Sequence, residues 1–204
     1  MFPSIQSYIH ALSLEAPDIS AERKALMAPL ISYIQQKRSN QQAVQLNFIC
    51  THNSRRSHIS QIWAKAIATH LGITLETYSG GTEATAFHPN AITAMRETGF
   101  EITTEDEASN PRYRIRMGEE LPELQAWSKK FNDPFNPTQN FAAVMTCSDA
   151  DENCPFVPGA ELRVALTYED PKAFDGTPQQ AAAYSERAKQ IGTELYYLLS
   201  EAIR

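Results

Sequence analysis

From residue 44 onward, short apolar runs alternate with stretches of helical periodicity, and this alternation constrains the fold more than any other feature. VQLNFIC (44–50) is followed by SHISQIWAKAIATHLG (57–72), which puts Ile59, Ile62, Trp63, Ala66, Ile67 and Leu71 at helical spacing and stops at Gly72. ITLETYSGG (73–81) is rich in β-formers, and HPNAITAMRETG (88–99) reads as a short helix with proline near its start. FAAVMTC (141–147) and LRVALTY, beginning at Leu162, are two more strands. Residues 177–204 form a long amphipathic helix, with Thr177 as its cap and Pro178 at its first position. Strands alternating with helices predict an α/β fold, a three-layer αβα arrangement around a four-stranded parallel sheet. Chemistry in such a sheet belongs at the carboxyl ends of its strands.

Two segments fall outside that rhythm. Residues 1–42 read as an N-terminal helical extension, with Ile5, Tyr8, Ile9 and Leu12 at helical spacing. A second run starts at Asp18 or Ser20 and sets Leu26, Leu30, Ile31 and Ile34 on one face. Pro29 inside it predicts a kink or a break, and SNQQ (39–42) a linker to the main domain, 43–204. Residues 103–140 are rich in proline, asparagine and charge and form an insertion, with one short helix expected near 119–130.

The composition of the 204 residues narrows the function. With 42% hydrophobic and 21% charged residues the chain is an ordinary globular one, and no apolar run approaches the roughly 20 residues of a membrane helix. The first residues lack the basic start and cleavage site of a secretory signal, so a cytoplasmic protein is expected. A net charge of −6 argues against general nucleic-acid binding. Three cysteines cannot all pair with one another, and a reducing compartment would keep them free.

The first of these, Cys50, opens the segment Cys50-Thr51-His52-Asn53-Ser54-Arg55-Arg56-Ser57 between a strand and a helix. Five residues between a cysteine and an arginine let backbone N–H groups turn inward, and the helix N-terminus adds positive potential. The planar fork of Arg56 suits two oxygens of a tetrahedral oxyanion. The same field favours a thiolate, which makes Cys50 a nucleophile, with Ser57 as a hydrogen-bond donor to it and Asn53 holding the loop. Thr51, His52, Ser54 and Arg55 complete the anion-binding loop, in which His52 and Arg55 either contact the anion or substrate or, the first reading, are loop-surface residues. Downstream, Asp170-Pro171 follows a strand, which makes Asp170 a candidate general acid for a departing oxygen, with Glu169 a nearby competitor. Asp133-Pro134, in the insertion, belongs to a turn.

From Leu46 to the C-terminus, outside most of 103–140, the sequence resembles the low-molecular-weight protein tyrosine phosphatases and the thioredoxin-coupled arsenate reductases of the same fold. The C-x5-R-S loop, Ser79-Gly80-Gly81, His88-Pro89-Asn90-Ala91 and Asp170-Pro171 carry the resemblance. Cys147 and Cys154, seven positions apart and followed by Pro155, are similar to the reductases' relay pair. The resemblance implies a three-cysteine relay from arsenate to thioredoxin. The alternative is a phosphatase working through a phosphocysteine, with Cys147 and Cys154 protecting Cys50; Tyr113, Trp127 and Phe131 could then dock an aromatic substrate. No Cys-x2-Cys or Cys/His spacing suggests zinc, so no metal and no tightly bound cofactor is expected beyond an oxyanion in the loop. Three positions depart from the family. His52 stands where many relatives have glycine, and Arg55 where a second loop cysteine is common. Gln61 replaces the glutamate with which some reductases hold potassium beside the asparagine and serine matched by Asn53 and Ser79.

Overall fold

The computed structural model describes residues 1–154 and 156–204. Four parallel strands, β1 (Gln45–Cys50), β2 (Glu76–Gly81), β6 (Phe141–Met145) and β7 (Ala160–Ala165), form a sheet in the order β2-β1-β6-β7. Alternate residues of β1 point to opposite faces, so Leu46 and Phe48 enter one core and Ile49 the other, whose cluster also takes in Cys50 where the strand ends. The first face carries α1 (Pro3–Glu15), α2 (Ala21–Ser39), α3 (Arg56–His70), α4 (Pro89–Glu97) and α6 (Gln180–Glu201). Trp63 of α3 is fully buried there, stacked on Tyr8 at 5.4 Å and met edge-on by Phe100 at 5.2 Å. Gly192 of α6 makes room for this crossing, since a Cβ there would meet the Leu12 side chain at 2.7 Å. The second face is covered by the short helix α5 (Ser148–Asn153), Val157 and Phe131.

Chain order along the sheet reverses between β1 and β6, which opens a crevice at their carboxyl ends. Cys50 ends β1, Cys147 follows β6 and Asp170 follows β7, so all three converge on that crevice.

Several sequence expectations are corrected here. Pro29 neither breaks nor ends α2, which runs through it for 19 residues. Pro29 and Ala25 are both on the solvent side, where water can satisfy the carbonyl that loses its donor. The inward stripe of that helix is Met27, Leu30, Tyr33, Ile34 and Lys37, with Leu26 43% exposed. No helix forms at 119–130; instead β3 (Glu101–Thr103), β4 (Tyr113–Arg116) and β5 (Leu124–Ala126) make a small antiparallel sheet. The last helix begins at Gln180, and Thr177 instead turns its hydroxyl to the Phe174 carbonyl. The stretch between Cys147 and Cys154 is the helix α5, while Pro155 lies outside the described residues. Among the described residues no helix is long and apolar enough to cross a membrane.

Candidate active site

The anion loop is built from the inside. Asn53 is fully buried with φ 45°, a left-handed conformation that asparagine tolerates better than most side chains. Its Oδ1 accepts from the Lys129 backbone N–H at 2.9 Å, and its Nδ2 donates to Ser57 Oγ at 2.9 Å. Because that bond occupies a lone pair of Ser57, the Ser57 hydroxyl proton is free to point at Cys50 Sγ, 3.1 Å away. Ser57 opens the first turn of α3, so a helix N-terminus faces the sulfur as well.

Arg56 lies across the crevice. Its Nη1 donates to the Tyr168 carbonyl at 2.8 Å and its Nη2 to Asp170 Oδ2 at 2.6 Å, while its buried Nε has no partner. The guanidinium and the carboxyl are thus paired across the space an oxyanion would enter. Asp170 Oδ1 accepts from the Lys172 N–H at 3.0 Å, capping the 3-10 turn Pro171–Phe174, and Glu169 is exposed. A cavity of about 510 Å³ is lined by Arg56, Asp170, Glu169, Cys147, Asp149 and Arg23. Arg23 comes from α2; it is held by Glu194 of α6 at 3.0 and 2.5 Å and donates to the Thr167 carbonyl at 3.3 Å. The N-terminal helices therefore reach the site's wall.

Cys50, Cys147 and Cys154 are free thiols, all buried, and all belong to the same apolar cluster on the second face of the sheet. Cys147 caps α5: its Sγ accepts from the Ala150 N–H at 3.3 Å and lies 3.4 Å from Thr51 Oγ1, which donates to Asp149 Oδ2 at 2.6 Å. The residue next to the Cys50 thiol thus touches the Cys147 thiol. Cys154 sits at the far end of α5; burial pushes its thiol up in pKa, against the opposing pull of Arg163.

A match to the low molecular weight phosphotyrosine protein phosphatase family spans residues 45–115. The arsenate reductase of Bacillus licheniformis is 32% identical over 152 residues, covering 72% of this chain and 89% of that protein. The arsenate reductase of Bacillus subtilis is 32% identical over 150 residues, covering 72% and 89%. The chain belongs to the family of these arsenate reductases. It is an enzyme of the arsenate reductase or tyrosine phosphatase type. Solved structures agree on the fold. A low molecular weight phosphotyrosine phosphatase from Vibrio cholerae O395 superposes with TM-score 0.54 at 12% identity, covering 78% of this chain and 95% of that one. An arsenate reductase in the phosphate binding state gives 0.51 at 18%, covering 77% and 97%.

Against that family frame, the departures in the loop have visible consequences. Arg55 turns away from the anion loop and donates to Tyr184 Oη at 2.7 Å and Asp175 Oδ2 at 3.1 Å. His52 is exposed, 3.6 Å from Glu83. Gln61 donates its amide to the Thr77 carbonyl at 3.1 Å, and Ser79 Oγ lies 3.3 Å from His58 Nδ1. Among the described residues no group of three or more His, Cys, Asp or Glu side chains is arranged to hold a metal ion. Tyr113 and Trp127 are spent on packing: Tyr113 meets Phe87 edge-on, and Trp127 is only 8% exposed between Arg112 and Lys129.

Sequence reasoning missed Lys129 and His58. Burial is the main cause that lowers the Lys129 pKa, to about 8, with Asp133 opposing and Arg112 assisting. Its Nζ has no hydrogen-bond partner and sits over Trp127 at 4.4 Å and Phe135 at 5.5 Å. Burial, then the charge of Lys129, holds the His58 imidazole well below its ordinary pKa and hence neutral. Lys129 occurs in SKKFND, a hydrophilic stretch with no outward sign of burial.

Proposed function

We propose that this enzyme reduces arsenate to arsenite through a three-cysteine relay that thioredoxin regenerates. One observation carries the reading: Cys147 Sγ lies 3.4 Å from the hydroxyl of Thr51, the residue beside Cys50, and Cys154 closes the same helix and the same apolar cluster. A hydrolase has no need of two further buried thiols there.

The Cys50 thiolate attacks arsenic, one oxygen departs with a proton from Asp170, and a sulfur–arsenic bond forms. Arg56, released from Asp170 as the anion enters, holds two of the remaining oxygens. The Cys147 thiolate attacks Cys50 Sγ; as the disulfide forms, the sulfur–arsenic bond breaks and its electron pair stays on arsenic. Arsenic passes from the +5 to the +3 state, and arsenite leaves. The Ala150 N–H, which donates to the Cys147 sulfur, supports its thiolate for this step, and Thr51 Oγ1, its own proton given to Asp149, accepts from the thiol beforehand. Cys154 then attacks Cys147, which frees Cys50 and leaves a Cys147–Cys154 disulfide for thioredoxin to reduce with two electrons and two protons. This last step requires α5, a helix of six residues, to open. The other members of the anion site act through the loop: Asn53 and Ser57 shape it, and Thr51, His52, Ser54 and Arg55 supply its backbone.

Phosphocysteine formation and hydrolysis is the second reading, supported by the completeness of Cys50, Arg56 and Asp170 without the other thiols. The two are separated by measuring arsenate-dependent NADPH oxidation, with thioredoxin and thioredoxin reductase, beside aryl phosphate hydrolysis. Cys147→Ser and Cys154→Ser should lose arsenate turnover and keep ester hydrolysis. Full arsenate turnover in both variants overturns the relay.

A further inference from the structure

The loop that carries Asp170 is anchored at both ends. At its start the Thr167 and Tyr168 carbonyls accept from Arg23 and Arg56. At its end stands Asp175, joined to Asp170 by the single 3-10 turn Pro171–Phe174. Asp175 gathers donors from three separate parts of the fold: Arg55 Nη2 at 3.1 Å from the anion loop, Asn90 Nδ2 at 3.1 Å from α4 and Tyr184 Oη at 2.8 Å from α6. His88 Nε2 lies 3.7 Å away and its ring stacks on Tyr184. Arg55 donates to Tyr184 as well, which closes a triangle, and its Nε comes within 4.0 Å of Asp170 Oδ1.

We propose that Asp175 is a positioning residue that latches the acid loop to the anion loop through Arg55 and Tyr184, and so sets where Asp170 stands over the bound anion. The proposal rests on the reading of Asp170 as the general acid. Asp170 is the cap of a turn only four residues long, so a displaced Asp175 carries the turn, and Asp170 with it, away from Arg56. Burial alone would raise the Asp175 pKa; the bonds from Tyr184 and Asn90 and the charges of Arg55 and His88 outweigh it and hold the carboxylate ionised.

The test uses the full chain and four variants, Asp175→Ala, Asp175→Asn, Tyr184→Phe and Asp170→Asn. Two readouts are combined: amide hydrogen exchange over 168–176 and 50–57, and kcat/KM for 4-nitrophenyl phosphate and phenyl phosphate. A misplaced acid hurts the poor leaving group, phenol, more than the good one. Asp175→Ala should speed exchange in 168–176 but not in 50–57, and lower kcat/KM about 10-fold for phenyl phosphate and less than about 3-fold for the nitrophenyl ester. Tyr184→Phe, which keeps the ring and loses one donor, should show the same pattern more weakly. Asp175→Ala added to Asp170→Asn should cost nothing further. Unchanged exchange at 168–176, or equal losses on both esters, overturns the latch. If Asp170→Asn shows no leaving-group selectivity, the acid assignment fails, while the exchange data still decide the anchor. Arsenate turnover is followed in the same variants, and wild-type rates in Asp175→Ala also overturn the proposal.

Discussion

Replacing Lys129 with methionine should stabilise the protein at neutral pH, and the gain should fade as the pH rises. The side chain is 2% exposed, its ammonium has no hydrogen-bond partner, and folding lowers its pKa from 10.5 to about 8. At about 1.4 kcal/mol for each tenfold change, keeping that proton in the folded state at pH 7 costs about 3 kcal/mol. The folded chain releases the proton at lower pH than the unfolded one. Between about pH 8 and 10.5 the unfolded state therefore binds more protons, and wild-type stability climbs with pH; below pH 8 the full cost is present. Methionine keeps the stem in its aromatic setting but gives up the ammonium's attraction to Trp127, about 1 kcal/mol, so the net gain at pH 7 is about 2 kcal/mol. Urea denaturation of both proteins at intervals from pH 7 to 9.5 measures it, and groups common to the two cancel in the difference. That difference should shrink by about 2 kcal/mol over the range. A flat difference would refute the buried, strained ammonium.

Three further substitutions probe the loop and its support. Gly80→Ala would push a Cβ into the Phe131 backbone, whose nitrogen would lie 2.7 Å away, and should cost about 3 kcal/mol in a urea titration. Asn53→Ala removes the partners of Lys129 N–H and Ser57 Oγ and leaves alanine at positive φ; a loss of roughly 2–4 kcal/mol is expected, together with loss of phosphate binding by calorimetry. Ser57→Ala removes the donor 3.1 Å from Cys50 and the acceptor of Asn53 Nδ2; it should slow iodoacetamide alkylation of Cys50 at pH 7 by about 10-fold and cost about 1–3 kcal/mol in a urea titration.

Much of this molecule was legible in its sequence because strong periodicity marks long elements. The four parallel strands and helices α3, α4 and α6 fall where alternating apolar runs put them, to within a few residues at the ends. What escaped was short or set by tertiary context. Strands β3 to β5 have three or four residues each, too few for a period to register, although Tyr113, Arg114, Ile115 and Arg116 do alternate in burial. Helix α5 spans six residues and is an acidic stretch without an apolar stripe. The latch between Arg55 and Asp175 joins residues 120 positions apart, and nothing local announces it. The placing of Cys50, Arg56 and Asp170 around one crevice was legible for the opposite reason, since a strand–loop–helix boundary and a strand followed by Asp-Pro are local patterns.

The relay itself is tested most directly by mapping disulfides after a single turnover. The reduced protein is mixed with arsenate in the absence of thioredoxin, quenched with an alkylating agent and analysed by mass spectrometry of its peptides. The account predicts one Cys147–Cys154 disulfide for each arsenite released, with Cys50 alkylated, and a trapped Cys50–Cys147 disulfide in the Cys154→Ser variant. Arsenite released with all three cysteines still alkylated, or no arsenite at all beside rapid phosphate ester hydrolysis, would contradict it.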